Sequence, residues 1–332
     1  MLNAGKPIIL YGMGNGADRV LDQTNKLGIP IYGVFSSDEF CRYQSFRGFT
    51  VKKMSDIEDE ISDFIVLVCF GTNRPEVIAN IKNISAKHET YSVDVPVYGD
   101  TVFDENFARA NFHKFIQVYE QLGDERSRFA YENVLKFKYS GNLDYLFAAQ
   151  DSPEERYNLL NLTNQEKYLD LGAYNGDSVM DFIVHTRGFD SITAVEPNPK
   201  TVEKLKRNTT EYSINILNVG ISDHIGKEFF DIKAGRGTSI GRQIEIPVTT
   251  VDEIGTDFTY IKADIEGAEG EMLRGMSESL KNCPKLVISA YHRTEDIFTL
   301  PLEILKIQPN YRIFYRHYPY LPAWDCEFIA IR

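Results

Sequence analysis

Residues 167–177 read Lys-Tyr-Leu-Asp-Leu-Gly-Ala-Tyr-Asn-Gly-Asp, and this stretch decides the fold. The apolar run from Tyr168 to Leu171 predicts a strand, the two glycines predict a tight loop, and apolar residues at helical spacing after Asp177 predict a helix. Strand, glycine loop and helix in this order are typical of the first crossover of a doubly wound α/β sheet. Such sheets bind ligands at the carboxyl ends of their strands.

The glycine loop differs in spacing from the loops of dinucleotide-binding proteins. It follows the pattern Asp170-x-Gly172-x-x-x-Gly176, and Tyr174 stands inside it. Gly172 and Gly176 allow the backbone to turn sharply and to approach a ligand. The loop therefore indicates a ligand with an amino-acid end rather than a pyrophosphate, although the stretch alone also fits a structural turn.

Further apolar runs predict strands that each end in polar residues. These are Ser191–Val195 before Glu196, Ile214–Leu217 before Asn218, Tyr260–Ala263 before Asp264, and Lys285–Ala290 before Tyr291 and His292. Because parallel strands bring their carboxyl ends to one edge, we expect five loops to converge on one crevice. Glu196 stands where such folds place the carboxylate that binds a ribose diol.

Four motifs follow one another in the second half of the chain. They are Asp-Leu-Gly-Ala-Tyr-x-Gly-Asp, Val-Glu-Pro-Asn-Pro, Asp-Ile-Glu-Gly-Ala-Glu and Tyr-Arg-x-x-x-Arg-His. Together they resemble the FkbM family of S-adenosylmethionine (SAM) dependent methyltransferases, from about Ser152 to the C-terminus. The resemblance implies O-methylation of a hydroxyl, often on a sugar or secondary metabolite. It also implies a class I methyltransferase fold, a doubly wound, mostly parallel sheet that ends in a C-terminal antiparallel pair.

The resemblance implies that the cofactor is SAM and that the loops after the first three strands each bind one part of it. The first loop would hold the methionine part, Glu196 the ribose and the residues after the third strand the adenine, although these last residues also fit a simple turn. The residues expected to bind SAM are Asp170, Gly172, Ala173, Tyr174, Gly176, Asp177, Glu196, Asn218, Ser222, Asp223 and Asp264.

Methyl transfer to an alcohol needs a base aligned with the acceptor hydroxyl. Asp264, Glu266 and His292 are the candidates, although Glu266 also fits a helix cap and His292 a structural histidine. Asp264 and Glu266 could hold a divalent metal, but spacing shows no third ligand, so we predict no metal site.

The last motif supplies candidates for binding the acceptor. Arg316 and His317 match the family motif and are expected to bind a phosphate or an acidic sugar. Tyr318 could stack on a sugar face, although packing between the last two strands explains such a ring equally well.

Composition narrows the classes of partner. The chain has 332 residues and a formal charge of -12, which disfavours nucleic-acid and anionic-membrane surfaces. Four scattered cysteines suggest neither zinc nor disulfides, and no apolar run approaches the ~20 residues of a membrane span. We expect a cytoplasmic enzyme that acts on a small-molecule or glycan acceptor.

The N-terminal part predicts a separate, smaller domain. Strand signals surround a second glycine loop, Gly12-Met13-Gly14-Asn15-Gly16, at the start of a helix. We assign residues 1–95 to a Rossmann-like α/β domain that resembles nucleotide-sugar-binding domains, 96–160 to a helical bridge and 161–332 to the methyltransferase domain. The first domain would bind part of the acceptor or mediate self-association as a homodimer, although its glycine loop fits a structural turn equally well.

Two other functions are also consistent with the sequence. One is an NAD-dependent oxidoreductase that uses the N-terminal loop, although Ser36 rather than an acid follows the second strand. The other is a non-catalytic subunit that binds SAM or a nucleotide.

Overall fold

The computed structural model describes residues 5–232 and 242–332, which form two compact units. The first unit comprises the described chain up to Val95, with Glu132–Gln150 and Pro319–Trp324. The second comprises Pro96–Tyr131, Asp151–Tyr318 and Asp325–Arg332. The segment 96–160, expected as a bridge, contributes to both units.

The first unit contains a six-stranded sheet. Its strands are β1 (Ile8–Tyr11), β2 (Gly33–Phe35), β3 (Ser45–Phe46), β4 (Phe49–Lys52), β5 (Ile65–Val68) and β6 (Glu89–Ser92), in the order β3-β4-β2-β1-β5-β6. All pairings are parallel except that of β3 with β4. Strands β1 and β5 are apolar and fully buried, as expected for central parallel strands covered on both faces.

Helices of the first part of the chain are α1 (Asn15–Lys26), α2 (Met54–Glu60), α3 (Pro75–Ser85), α4 (Glu105–Gln121), α5 (Glu125–Ser140) and α6 (Leu143–Ala149). Asp104 caps α4 by accepting a hydrogen bond from the backbone N–H of Phe107 at 2.8 Å. The α4 helix belongs to the second unit, α6 belongs to the first, and α5 contributes to both.

The second unit is built on a seven-stranded sheet of order β15-β16-β14-β13-β7-β8-β9, with a three-stranded sheet of order β10-β12-β11. The strands are β7 (Lys167–Leu171), β8 (Ser191–Val195), β9 (Asn215–Leu217), β10 (Gly220–Ile221), β11 (Gly226–Ile232), β12 (Arg242–Thr249), β13 (Tyr260–Ala263), β14 (Lys285–Ser289), β15 (Arg312–His317) and β16 (Cys326–Ile331). The remaining helices are α7 (Glu154–Leu160), α8 (Asp177–Thr186), α9 (Pro199–Asn208), α10 (Val251–Ile254), α11 (Glu269–Arg274), α12 (Ser277–Lys281) and α13 (Asp296–Ile307).

Strand β16 is antiparallel to both β14 and β15, whereas the other pairings of the large sheet are parallel. This confirms the predicted doubly wound α/β fold with a C-terminal antiparallel pair. Aromatic side chains fill its core: the rings of Tyr168 and Tyr260 stack with centroids 4.7 Å apart, and Phe182 of α8 packs on both. These rings pack the sheet against α8, which follows the first loop at its edge.

The part of the chain that the structure describes contains no helix with both the length and the apolar character needed to cross a bilayer.

Candidate active site

The carboxyl ends of β8, β7, β13 and β14 form one edge of the seven-stranded sheet. Strand β16 runs in the opposite direction, so its first residues reach the same edge, where Glu327 pairs with Ser289 at the end of β14. The structure therefore gathers the strand ends as predicted. The charged or polar residues at this edge include Asp170, Glu196, Asp264, Glu266, Tyr291, His292 and Asp325.

The glycines of the first loop are required mainly by protein packing. Gly172 has φ +81°, and a Cβ there would lie 1.9 Å from the carbonyl oxygen of Asp264. Gly176 has φ +89°, and a Cβ there would lie 2.9 Å from side-chain atoms of Leu205 and Thr209 on the α9 side. Neighbouring protein atoms therefore already exclude a side chain at both positions, and close approach of the loop backbone to a ligand stays a prediction.

The remaining residues of the first loop differ in exposure. Ala173 is buried, whereas Tyr174 is exposed and has φ 45°, a conformation that non-glycine residues rarely adopt. Asp177 is exposed at the first position of α8. Tyr174 and Asp177 therefore present side chains to solvent beside the strand edge.

Asp170 lies in the sheet and is completely buried. Its Oδ2 accepts a hydrogen bond from the hydroxyl of Ser178 at 2.5 Å, but its Oδ1 has no partner within hydrogen-bond geometry in the described residues. The buried hydroxyl of Tyr168 likewise lacks a hydrogen-bond partner at that geometry in the described residues, although its proximity helps to lower the pKa of Asp170. Burial raises the pKa of Asp170, while Lys262 on the neighbouring strand lowers it.

Glu196 follows β8 and is fixed by two backbone amides. Its Oε2 accepts from the N–H of Tyr174 at 3.1 Å, and its Oε1 accepts from the N–H of Asn198 at 2.8 Å. Burial raises the pKa of Glu196, and the two amide bonds oppose that shift. A carboxylate held in this way is oriented before any ligand arrives.

The residues expected at the adenine have different surroundings. Asn218 donates from Nδ2 to the carbonyl oxygens of Glu196 and Pro197, at 2.9 and 3.0 Å, and so supports the loop that carries Glu196. Ser222, which follows β10, donates to Glu228 of β11 at 2.6 Å. The Asp223 carboxylate accepts from Arg274 at 2.9 Å. These contacts favour a structural role for Ser222 and Asp223 over contact with adenine.

His292 lies between the carboxylates of Asp264 and Glu269 at this edge. The Nδ1 atom of His292 lies 2.9 Å from Oε1 of Glu269, and its Nε2 atom lies 3.3 Å from Oδ1 of Asp264. His292 and Glu269 are buried, whereas the Asp264 side chain is 36% exposed. Burial by itself lowers the pKa of His292, but the hydrogen bond to Glu269 and the nearby carboxylates raise it to about 9.

Asp264 also accepts a hydrogen bond from the residue before His292. The hydroxyl of Tyr291 donates to the Asp264 carboxylate, at 3.1 Å to Oδ1 and 3.4 Å to Oδ2. A partly exposed carboxylate is therefore held by a phenol and an imidazolium. Glu269, which helps to hold the imidazolium, was missed as a site residue because its motif position predicted only the start of a helix.

Asp264, Glu269 and His292 also form a set of ligand-type side chains, with one atom from each lying within 4.8 Å of the others. The third ligand that spacing did not reveal is thus present, although the pair expected from sequence, Asp264 with Glu266, is not the pair that meets. Both ring nitrogens of His292 already face carboxylate oxygens. A metal ion bound here would have to displace these ion pairs, and the absence of a metal site stays a prediction.

Glu266 does not cap α11, whose N-cap residue is Ala268 and has no side-chain cap bond. Glu266 is exposed and has φ 56°, followed by Gly267 with φ +100°. Two successive residues in the left-handed region turn the loop sharply. The carbonyl of Gly267 accepts from Nε of Arg293 at 2.8 Å, and the Arg293 guanidinium lies 4.5 Å from the ring centroid of Tyr98.

Asp325 is a further carboxylate that sequence reasoning missed. It precedes β16, is half-buried and has φ 77°. Burial and the nearby Glu327 raise its pKa to about 6, and the charge of Asp264 adds to that shift while Lys262 opposes it. No strand-end signal marks Asp325, because it stands before its strand and reaches the edge only through the antiparallel direction of β16.

The expected acceptor-binding residues of the last motif are buried. Arg316 pairs with Asp124 at 2.8 Å and donates to Ser127 at 2.8 Å. His317 is fully buried, and the hydroxyl of Tyr318 donates to Glu327 at 2.6 Å. Their burial favours a role in packing the last two strands over contact with an acceptor.

Comparisons with known proteins agree with this architecture. Residues 170–315 match the family described as the methyltransferase FkbM domain. A comparison with curated protein sequences gives no match.

Among solved structures, the chain is similar to methyltransferase FkbM from Methylobacillus flagellatus KT, with 22% identity and a TM-score of 0.73 over 98% of this chain and 90% of that chain. It is also similar to precorrin-6y C5,15-methyltransferase from Geobacter metallireducens GS-15, with 14% identity and a TM-score of 0.35 over 54% of this chain and 86% of that chain. An rRNA methylase from Streptococcus thermophilus has 8% identity and a TM-score of 0.35, over 54% of this chain and 93% of that chain. The first of these similarities shows the fold.

Proposed function

We propose, from the premise that residues 170–315 belong to the FkbM methyltransferase family, that this protein transfers a methyl group from SAM to a hydroxyl of a sugar, a glycan or a related metabolite. The observation that carries the proposal is the Asp264 carboxylate, partly exposed and held by Tyr291 and His292. It stands at the edge where the sheet presents Asp170 and Glu196.

The residues of this edge fit the cofactor that the family uses. Asp170 offers a buried carboxylate oxygen without a partner in the described chain, which suits an ammonium group. Glu196 offers a fixed carboxylate, which suits a pair of ribose hydroxyls. SAM, when bound, supplies a methyl group activated by a sulfonium charge.

Asp264 suits the role of base better than His292 does. His292 uses both ring nitrogens in contacts with carboxylates, and its pKa of about 9 keeps it protonated at neutral pH. The Asp264 carboxylate keeps an exposed face that can accept the proton of an acceptor hydroxyl. Tyr291 and His292 then act by orienting that carboxylate.

The charge of the site favours an acceptor that presents neutral hydroxyls. Burial raises the pKa of the Tyr291 phenol, and the charges of Asp264, Glu266 and Asp325 raise it further, which places three carboxylates near one hydroxyl. Carboxylates accept hydrogen bonds from hydroxyls and repel phosphate and carboxylate groups. The half-exposed ring of Tyr98, beside Gly267, offers a flat face for a sugar.

Mass spectrometry tests the proposal directly. The purified protein is incubated with SAM and with pools of oligosaccharides, nucleotide sugars and hydroxylated metabolites, and products heavier by one methylene are sought. Asp264→Asn serves as the matched inactive control. Methylation of a nitrogen or carbon acceptor, with none of an oxygen acceptor, would reject the proposed chemistry.

A further inference from the structure

Lys262 is a cation in the central part of the large sheet. It lies on β13, is half-buried, and within the described residues makes neither a hydrogen bond nor an ion pair within 4.0 Å. Its charge lowers the pKa of the Asp170 and Asp325 carboxyls. A half-buried ammonium without a direct partner is costly, so its place at this edge calls for a reason.

The register of the sheet sets Lys262 beside Asp170. Lys262 on β13 pairs with Asp170 on β7, and paired residues of adjacent strands project to the same face. The two side chains carry opposite charges, yet their charged atoms do not meet within 4.0 Å. The Oδ1 atom of Asp170 is also without a hydrogen-bond partner at normal geometry in this part of the chain.

Neighbouring opposite charges that do not pair with each other are suited to a ligand that carries both charges. An α-amino acid group is such a ligand, because its ammonium and carboxylate are joined through one carbon atom. The carboxylate Oδ1 of Asp170 can accept from the ammonium, and the Lys262 ammonium can donate to the carboxylate. A ligand that carries only a positive charge would bind to the Asp170 carboxylate but would be repelled by the Lys262 ammonium.

We infer that Lys262 binds the carboxylate of the amino-acid end of SAM, while Asp170 binds its ammonium, so that the two residues together recognise a zwitterion. This rests on the proposed use of SAM as the cofactor. It assigns Lys262 to cofactor selection rather than to proton transfer, and it explains why a lysine occupies a central strand of the sheet.

Calorimetric binding of three ligands tests the inference without any turnover. SAM carries both charges of the amino-acid end, decarboxylated SAM keeps only the ammonium, and 5′-methylthioadenosine lacks the whole amino-acid end. The wild-type protein is expected to bind SAM about tenfold or more tightly than decarboxylated SAM, as a charge-assisted hydrogen bond implies. In Lys262→Met the ratio of the affinity for SAM to the affinity for decarboxylated SAM is expected to fall close to one.

The controls separate recognition from a general effect on the fold. Affinity for 5′-methylthioadenosine is expected to change by less than about twofold in Lys262→Met, because that ligand cannot reach the lysine. Lys281→Met changes an exposed lysine of α12 and should leave all three affinities alone. Lys262→Arg, which keeps the charge, should retain most of the preference for SAM.

Three results would overturn the inference. The first is that the wild-type protein binds SAM and decarboxylated SAM with equal affinity. The second is that Lys262→Met keeps the wild-type ratio of these two affinities, and the third is that Lys262→Met loses affinity equally for all three ligands. The first needs no substitution, so the test stands even if Lys262→Met fails to fold. Absence of SAM binding would reject both this inference and the proposed function, whereas SAM binding without hydroxyl methylation would reject only the proposed acceptor.

Discussion

The Nδ1 atom of His292 lies 2.9 Å from Oε1 of Glu269, and both side chains are buried. Glu269 also accepts a hydrogen bond through Oε1 from the backbone N–H of Ile265 at 3.0 Å. One carboxylate therefore fixes both the imidazole and the loop that follows Asp264. The geometry of the candidate base depends on a residue that does not touch the acceptor.

This pair predicts how stability depends on pH. The pKa of His292 is raised from 6.5 to about 9, so its protonated form stabilises the folded protein. This contribution to the free energy of unfolding is fully present below about pH 6.5 and is lost as the pH rises through 9. The shift corresponds to roughly 3 kcal/mol as an upper value. Urea unfolding at pH 6.5 and 9.5 measures the loss.

Glu269→Gln keeps the size of the side chain and removes its charge, so it is expected to remove much of this pH dependence. His185→Gln, at a histidine of α8 that is far less buried, is the control and should keep the wild-type profile. A Glu269→Gln protein with the full wild-type pH dependence would show that the pair does not set it.

Asp264→Asn is predicted to abolish most methyl transfer. A positioned base contributes about 10²- to 10⁴-fold, and an amide cannot accept the proton in the same way. Single-turnover transfer of a labelled methyl group measures the effect. Glu266→Gln, at the exposed neighbouring carboxylate, should cost less than about tenfold; the reverse order of the two losses would transfer the role of base to Glu266.

Glu196→Ala is predicted to weaken SAM binding about tenfold or more. Loss of a carboxylate that accepts from ribose hydroxyls costs roughly 1–3 kcal/mol, and here the same carboxylate also orders the loop through Tyr174. Calorimetry gives the affinity. Glu203→Ala on the exposed side of α9 is the control, and equal affinities for the two variants would remove Glu196 from the cofactor site.

Activity is predicted to survive chelation by EDTA. The ring nitrogens of His292 both face carboxylate oxygens, so a metal ion would have to displace an ion pair in order to bind. Turnover is compared before and after dialysis against chelator. Loss of turnover that magnesium or zinc restores would make Asp264, Glu269 and His292 metal ligands.

Gly14→Val tests the second glycine loop. A Cβ at Gly14 meets no atom within 4 Å, so the fold should tolerate valine there. If the loop binds the nucleotide or carrier part of the acceptor, as the sequence predicts, the acceptor KM rises while SAM affinity stays unchanged. Steady-state kinetics with the acceptor found by mass spectrometry gives both values.

The neighbouring Gly16 provides the contrast. A Cβ at Gly16 would lie 2.1 Å from the carbonyl oxygen of Cys69, so Gly16→Val should destabilise the first unit instead of altering binding selectively. An unchanged acceptor KM in a folded Gly14→Val protein would favour self-association as the role of this unit.

The sequence by itself determined the strands of the large sheet and the position of Asp170, Glu196 and Asp264. Apolar runs mark buried parallel strands, and parallel strands necessarily end at a common edge. The antiparallel pair at the end of the sheet was expected from the resemblance to the FkbM family. The strand positions and their common edge depend only on local pattern and chain direction.

Tertiary structure alone decided the chemistry of that edge. The charge on His292 depends on burial and on Glu269, which is 23 residues away in the chain. Asp325 reaches the edge because β16 is antiparallel to β14. Position 172 must be glycine because a Cβ there would collide with the carbonyl oxygen of Asp264, which follows another strand. Arg316 and Tyr318 are buried by partners that no local pattern identifies. Burial and contacts between distant residues determine the pKa of each site residue and whether a ligand can reach it. Spacing along the chain shows neither the burial nor the contacts.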